Sequence, residues 1–172
     1  TVAPVGLVLL HPRRKEVGSV SAPPGNLSGG AFLSLRLAID NAESSMPLVD
    51  IQDLHVSFPQ YEGLVQAVRG VTFHVSAGEC LGIVGESGSG KSVTCLAILR
   101  LLREPPAKIT AKRLELAGED MLSADRRKLA SMRGKVAAMV FQDPMTAFDT
   151  VFTIGHQIIE TIQAHRDVAN AE

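Results

Sequence analysis

Eight consecutive residues, Gly85-Glu86-Ser87-Gly88-Ser89-Gly90-Lys91-Ser92, fill the pattern G-x-x-x-x-G-K-[ST] and constrain this chain more than any other stretch of it. The pattern carries meaning only between a strand and a helix, and the flanks supply both. Residues 79–84, Glu-Cys-Leu-Gly-Ile-Val, read as a short buried strand, and residues 92–103 read as an amphipathic helix. In such a turn the glycines let the backbone approach phosphates closely. Successive N–H groups converge on the phosphate oxygens, and the helix start adds the positive end of its dipole. Lys91 would reach the β- and γ-phosphates of a nucleotide, and Ser92 would offer its hydroxyl to Mg²⁺, a hard cation that prefers oxygen ligands. By average residue usage the pattern arises by chance in roughly one chain of this length in a few hundred, and less often with the right flanks.

The remaining composition is permissive. A length of 172 residues suits one domain, and 45% hydrophobic residues can build a core. With 17 basic and 18 acidic side chains, the net charge of −1 demands neither a nucleic acid nor an anionic membrane as partner. No apolar run approaches the roughly 18 residues needed to span a bilayer, and residues 5–10 are too short and poorly flanked for a signal peptide. The expectation is an intracellular protein, soluble or peripheral. Cys80 and Cys95 fall in the strand and helix around the loop and read as small buried hydrophobes, not as a disulfide or metal pair. His11, His55, His74, His156 and His165 show no ligand spacing among themselves or with the cysteines.

Along the chain, residues 1–46 mix Pro, Gly and Ser with the basic run His11-Pro12-Arg13-Arg14-Lys15, and read as a poorly ordered extension. Within it, Phe32, Leu35 and Ile39 predict a short helix over residues 31–42. Residues 47–172 form the second unit. In it, residues 48–58 and 67–75 alternate apolar and polar around the turn-like Pro59-Gln60-Tyr61-Glu62-Gly63, which predicts two antiparallel strands. After the loop helix, Glu104-Pro105-Pro106 acts as a stop, residues 109–116 predict a strand, and residues 123–132 a helix. The continuous apolar run Val136-Ala137-Ala138-Met139-Val140-Phe141 has the pattern of a strand buried on both faces of a parallel sheet. Residues 153–164 predict a last helix capped near Thr153.

Two segments together carry a resemblance: the stretch from Gly82 through Ser92, and Val140-Phe141-Gln142-Asp143-Pro144-Met145-Thr146 about fifty residues on. With them, from about Leu48 to the C-terminus, the chain resembles the ATP-binding subunits of ABC transporters. Within that family it looks most like the branch that powers dipeptide, oligopeptide or nickel import. The resemblance implies an α/β P-loop NTPase core with a small antiparallel β-subdomain, here only its N-terminal part. It implies ATP and Mg²⁺ as cofactors, permease subunits and a second ATP-binding subunit as partners, and a peripheral place on the cytoplasmic face of the cell membrane. Carried onto this sequence, the nucleotide would be held by Gly85, Glu86, Ser87, Gly88, Ser89, Gly90, Lys91, Ser92 and Val93. Gln142 is similar to the Q-loop glutamine that completes the Mg²⁺ site with Ser92, and Phe58 to the aromatic that stacks on adenine. A flat ring suits a flat base, and Tyr61 is a rival for the same place.

Two stretches imitate other family motifs. Residues 136–141 followed by Asp143 resemble a Walker B strand, but Gln142 intervenes, Pro144 follows and no glutamate is present, which favours the Q-loop reading. Leu27-Ser28-Gly29-Gly30 matches the start of the family's signature, but precedes the phosphate loop and has Ala31 where the glutamine belongs. It reads as a flexible turn. Asp149-Thr150 stands where close relatives usually have Asn-Pro. Up to Glu172 there is no recognisable signature helix, Walker B acid, catalytic glutamate or switch histidine, so the expectation is poor or absent ATP hydrolysis by this stretch alone. The alternatives at this point are a nucleotide-binding fragment or regulatory module without turnover, and a soluble ABC-type ATPase of DNA maintenance. The latter would need zinc-binding insertions or coiled-coil arms, which the sequence does not show.

Overall fold

The computed structural model describes residues 46–141, 143 and 148–166, and the backbone of three strands at 6–9, 20–21 and 33–37. Leu27-Ser28-Gly29-Gly30, Gln142 and Pro144-Met145-Thr146 lie outside the described residues.

The best-built part is the predicted hairpin. Strands β4 (Val49–Gln60) and β5 (Gly63–Val75) pair antiparallel around the tight Tyr61-Glu62 turn. Alternation places Val49 and Ile51 on the buried face, and Leu54 and Val56 continue that face three residues later. The extra residue is taken up by a β-bulge in which Gln52 and Asp53 both fall opposite Thr72. Asp53 adopts the left-handed φ of 56°, which short polar side chains tolerate better than most, and its N–H donates to Thr72 Oγ1 at 2.9 Å. The bulge therefore keeps four apolar side chains pointing the same way.

On the other edge of β4 lie β7 (Lys108–Thr110) and β8 (Arg113–Leu116), followed by β9 (Glu119–Asp120). The strand expected at residues 109–116 is thus present as two pieces. Their register along β4 is unchanged across the break, which falls beside the Asp53 bulge. Helices α1 (Lys91–Ile98) and α2 (Arg126–Met132) contribute Ala97, Ile98, Leu129 and Met132 to the core formed with this sheet. Asp125 caps α2 by accepting from Lys128 N at 2.7 Å, and Thr153 Oγ1 caps α3 (Ile154–His165) by accepting from His156 N.

Several expectations are corrected. Within the stretch expected as a helix over residues 31–42, the described residues form a strand instead: β3 (Leu33–Leu37) pairs antiparallel with β6 (Cys80–Val84) and with β2 (Val20–Ser21). The apolar positions fit both periods, and a hydrogen-bonding partner decides between them. The run at residues 136–141 does form a strand, β10 (Ala137–Val140), but it pairs antiparallel with β1 (Gly6–Leu9), and Val140 is 56% exposed. An apolar run records an affinity for burial and does not name its neighbour. For the same reason β6 is not the buried strand expected: Cys80 and Val84 are exposed, and of the two cysteines only Cys95 is buried. Burial pushes the Cys95 thiol up from its ordinary value. Finally, α1 ends at Ile98, earlier than the helix read over residues 92–103. No helix among the described residues is long and apolar enough to cross a membrane.

Candidate functional site

Between β6 and α1 the chain makes the turn that its glycines permit. Gly88 and Gly90 take φ of 79° and 89°, the left-handed region where a side chain is strained. Gly90 carries a second constraint, because a Cβ on it would lie 2.4 Å from the carbonyl oxygen of Ala67. Ala67 sits at a register shift of β5, so the hairpin and the loop meet at backbone distance only because residue 90 has no side chain.

Lys91 turns its ammonium back into the loop. Its Nζ donates to Gly85 O at 2.8 Å, Glu86 O at 2.6 Å and Ser89 Oγ at 3.2 Å. A further turn is closed by Ser89 N–H donating to Glu86 O at 3.2 Å. At the start of α1 no side chain caps the helix, and no acid stands in its first turn. The first N–H groups of a helix have no partner within it, so here they remain open to an external acceptor. Ser92 is exposed beside them, while Thr94 is buried and donates its hydroxyl to Gly90 O at 2.9 Å, tying the first turn to the loop.

A cation held at the loop by two carbonyls and a hydroxyl and a helix start free of acids together fit a phosphate chain. The residues therefore suit the nucleotide and Mg²⁺ expected from the sequence, with Ser92 as the only described member of the expected metal pair. Among the described residues, no group of three or more His, Cys, Asp or Glu could hold a metal by itself.

Phe58 lies in β4 opposite Val65, two residues along β5 from Ala67, and packs half-buried against the core. Tyr61, its rival, is fully exposed at the hairpin turn. Val93 is half-buried against the core behind the loop. Gln142 is outside the described residues, and Asp143 beyond it is exposed.

At its far end α1 closes with two hydrogen bonds, Arg100 N–H to Ala97 O and Leu101 N–H to Leu96 O. This is the Schellman arrangement, with Arg100 at φ 54° in the position glycine usually takes. Arg133, at the end of α2, then donates from Nε to Leu99 O at 2.9 Å and from Nη2 to Arg100 O. Sequence reasoning missed Arg133, because the contact spans more than thirty residues and leaves no local signal.

The strand, the glycine turn with its inward lysine and the acid-free helix start define a P-loop nucleotide-binding fold of the α/β class. A comparison with protein families matches residues 68–171 to the family described as ABC transporter, and the chain belongs to it. A probable peptide ABC transporter ATP-binding protein of Sinorhizobium fredii is 47% identical over 125 residues, covering 73% of this chain and 37% of that protein. An oligopeptide transport ATP-binding protein of Bacillus subtilis is 43% identical over 122 residues, 71% of this chain and 34% of its own length. A dipeptide transport ATP-binding protein of the same organism is also 43% identical over 122 residues, 71% of this chain and 36% of its own. The chain thus spans about a third of the length of the curated relatives it matches.

Proposed function

We propose that the chain forms the ATP-binding region of an ABC transporter subunit that energises import of peptides, or of nickel, across the cytoplasmic membrane. The observation that carries this reading is the Lys91 ammonium, held among loop oxygens directly before a helix start that has neither a cap nor an acid. The names of the relatives, which speak of peptide, oligopeptide and dipeptide transport, support the substrate class. The partners on this reading are permease subunits and a second ATP-binding subunit. No nucleic acid is involved, in keeping with a net charge of −1. The place is the cytoplasmic face of the membrane, held peripherally by the permease. The division of the chain into residues 1–46 and 47–172 belongs to the same proposal.

The residues divide the work by their chemistry. Backbone N–H groups of residues 88–93 and the Lys91 ammonium hold the phosphates, exchanging the loop oxygens that Lys91 now contacts for phosphate oxygens. The Ser92 hydroxyl and the Gln142 side chain hold Mg²⁺, and Phe58 offers its ring to the adenine. When bound, Mg²⁺ neutralises phosphate charge.

The test is equilibrium binding of a fluorescent ATP analogue with Mg²⁺ to the chain and to Lys91→Ala, with phosphate release followed on the same samples. Saturable binding is expected, weakened at least about tenfold in the variant, the equivalent of one lost charge-assisted hydrogen bond. Equal affinity of both proteins would remove the loop from the binding site. Binding without phosphate release is the result expected of this stretch alone, in which no water-activating glutamate is recognisable, and it supports a competent phosphate loop.

A further inference from the structure

We infer that Arg133 is a positioning residue for the phosphate loop, acting on it through α1 from the opposite end of the helix. The inference rests on the proposed nucleotide site and deepens it.

Helix α1 has only eight residues, so at 1.5 Å per residue its two ends lie about 12 Å apart. Its N-terminal end is fixed by Thr94, whose N–H and hydroxyl both donate to Gly90 O. So short a helix moves as one body, and whatever holds its C-terminal end also sets where its first turn stands. That end is awkward. Arg100 takes a left-handed φ that an L side chain adopts only at a cost, and the carbonyls of Leu99 and Arg100 follow the last helical turn. The two hydrogen bonds of the Schellman arrangement serve Leu96 and Ala97. The guanidinium of Arg133 serves the next two acceptors, Leu99 O and Arg100 O, with a planar fork that a single ammonium cannot reproduce. Its charge also faces the negative end of the helix dipole.

The anchor has a second consequence. Arg133 ends α2 and starts the turn into β10, where it bridges to Ala137 and where Gly134 N–H donates to Ala137 O at 2.8 Å. One residue therefore ties the helix behind the phosphate loop to the strand that leads toward Gln142.

If Arg133 sets the position of the loop, its loss should be felt by the terminal phosphates of a nucleotide more than by the rest of it. Binding of fluorescent ATP and AMP analogues with Mg²⁺ is compared for the full chain, Arg133→Ala and Arg133→Lys, with folding checked by circular dichroism. The preference for ATP over AMP is expected to fall at least fivefold in Arg133→Ala. In Arg133→Lys, where one ammonium can reach the carbonyls but cannot bridge them, an intermediate preference is expected. AMP affinity should stay within twofold in both. An unchanged preference in folded Arg133→Ala, or equal weakening of both ligands, overturns the inference. If Arg133→Ala does not fold, Arg133→Lys decides it, and a wild-type preference there overturns it.

A wild-type chain that bound neither ligand would instead defeat the proposed function. Arg133 is then judged by amide hydrogen exchange in Arg133→Lys. Faster exchange at Thr94 and Cys95 with the β4 ladder unchanged supports the positioning role. Equal acceleration everywhere, or none, overturns it.

Discussion

Strands β4 and β6 are both apolar in sequence, yet four side chains of β4 are wholly buried while Val84 of β6 is 51% exposed. The difference lies in where each finds its partners. β4 turns through two residues into β5, its own neighbour in sequence, and the segment at residues 108–116 covers its other edge. β6 and β10 instead take β3 and β1, each more than forty residues away in the chain. Closing a hairpin is cheap in chain entropy and fixes register through the turn. A distant pairing has no such local constraint. α3 lies at the same end of the scale as β6, since none of its residues is buried. Hydrophobicity thus sets which segments gain from burial, and proximity in the chain decides which of them secure it.

The sharpest test makes one chemical change in both regions. Val56→Ala removes two methyl groups from a fully buried site, which is expected to cost about 2–3 kcal/mol, including the cavity left behind. Val84→Ala and Val140→Ala, at sites about half exposed, should each cost less than about 1 kcal/mol. Urea unfolding of the three variants measures this, and equal losses would erase the contrast between the regions.

Gly90 is where the two regions touch, and it yields the next largest effect. Gly90→Ala combines a left-handed backbone with a Cβ driven against the Ala67 carbonyl, so a loss of about 2 kcal/mol is expected, together with weaker nucleotide binding. Gly88→Ala shares the backbone strain at φ 79° but meets open space, so about 1 kcal/mol is expected. The difference between the two isolates the contact between loop and hairpin. Equal effects in denaturant unfolding would mean that the contact contributes nothing.

The same division governs what could be read from the sequence. The hairpin was legible because alternation at 48–58 and 67–75 and the turn between them are local facts. The phosphate loop was legible because its glycines and Lys91 are specified within eight residues. The bulge at Asp53 was not, because it shows only when β4 and β5 are laid side by side and two residues face one. Leu33, Leu35 and Leu37 satisfy a strand period, while Phe32, Leu35 and Ile39 satisfy a helical one, and only pairing with β6 selects the strand. Arg133 carries no pattern at all, since its acceptors are main-chain carbonyls of residues 99 and 100.

The smallest expected effect concerns the outer face of the hairpin, where stability depends on charge and not on burial. Asp53 sits between Lys112 at 3.1 Å and His55 at 3.0 Å. The hydrogen bond from Lys112, and next that from His55, hold its carboxyl below the usual carboxylate range. A carboxyl more acidic in the folded chain than in the unfolded one favours folding once pH exceeds the unfolded value near 4. That contribution is lost as pH falls through the folded value, when the native carboxylate takes up its proton. Asp120 acts in the same direction, lowered chiefly by its hydrogen bond from Ser123. Asp53→Asn is therefore expected to leave stability near neutral pH almost unchanged, because asparagine also tolerates the left-handed backbone at this position. It should flatten part of the fall in the urea midpoint below about pH 4, and added salt should shrink the difference because the group is exposed. Coincident profiles for the two proteins in that range would show that the acid response arises elsewhere, with the strand-and-loop region as the next place to measure.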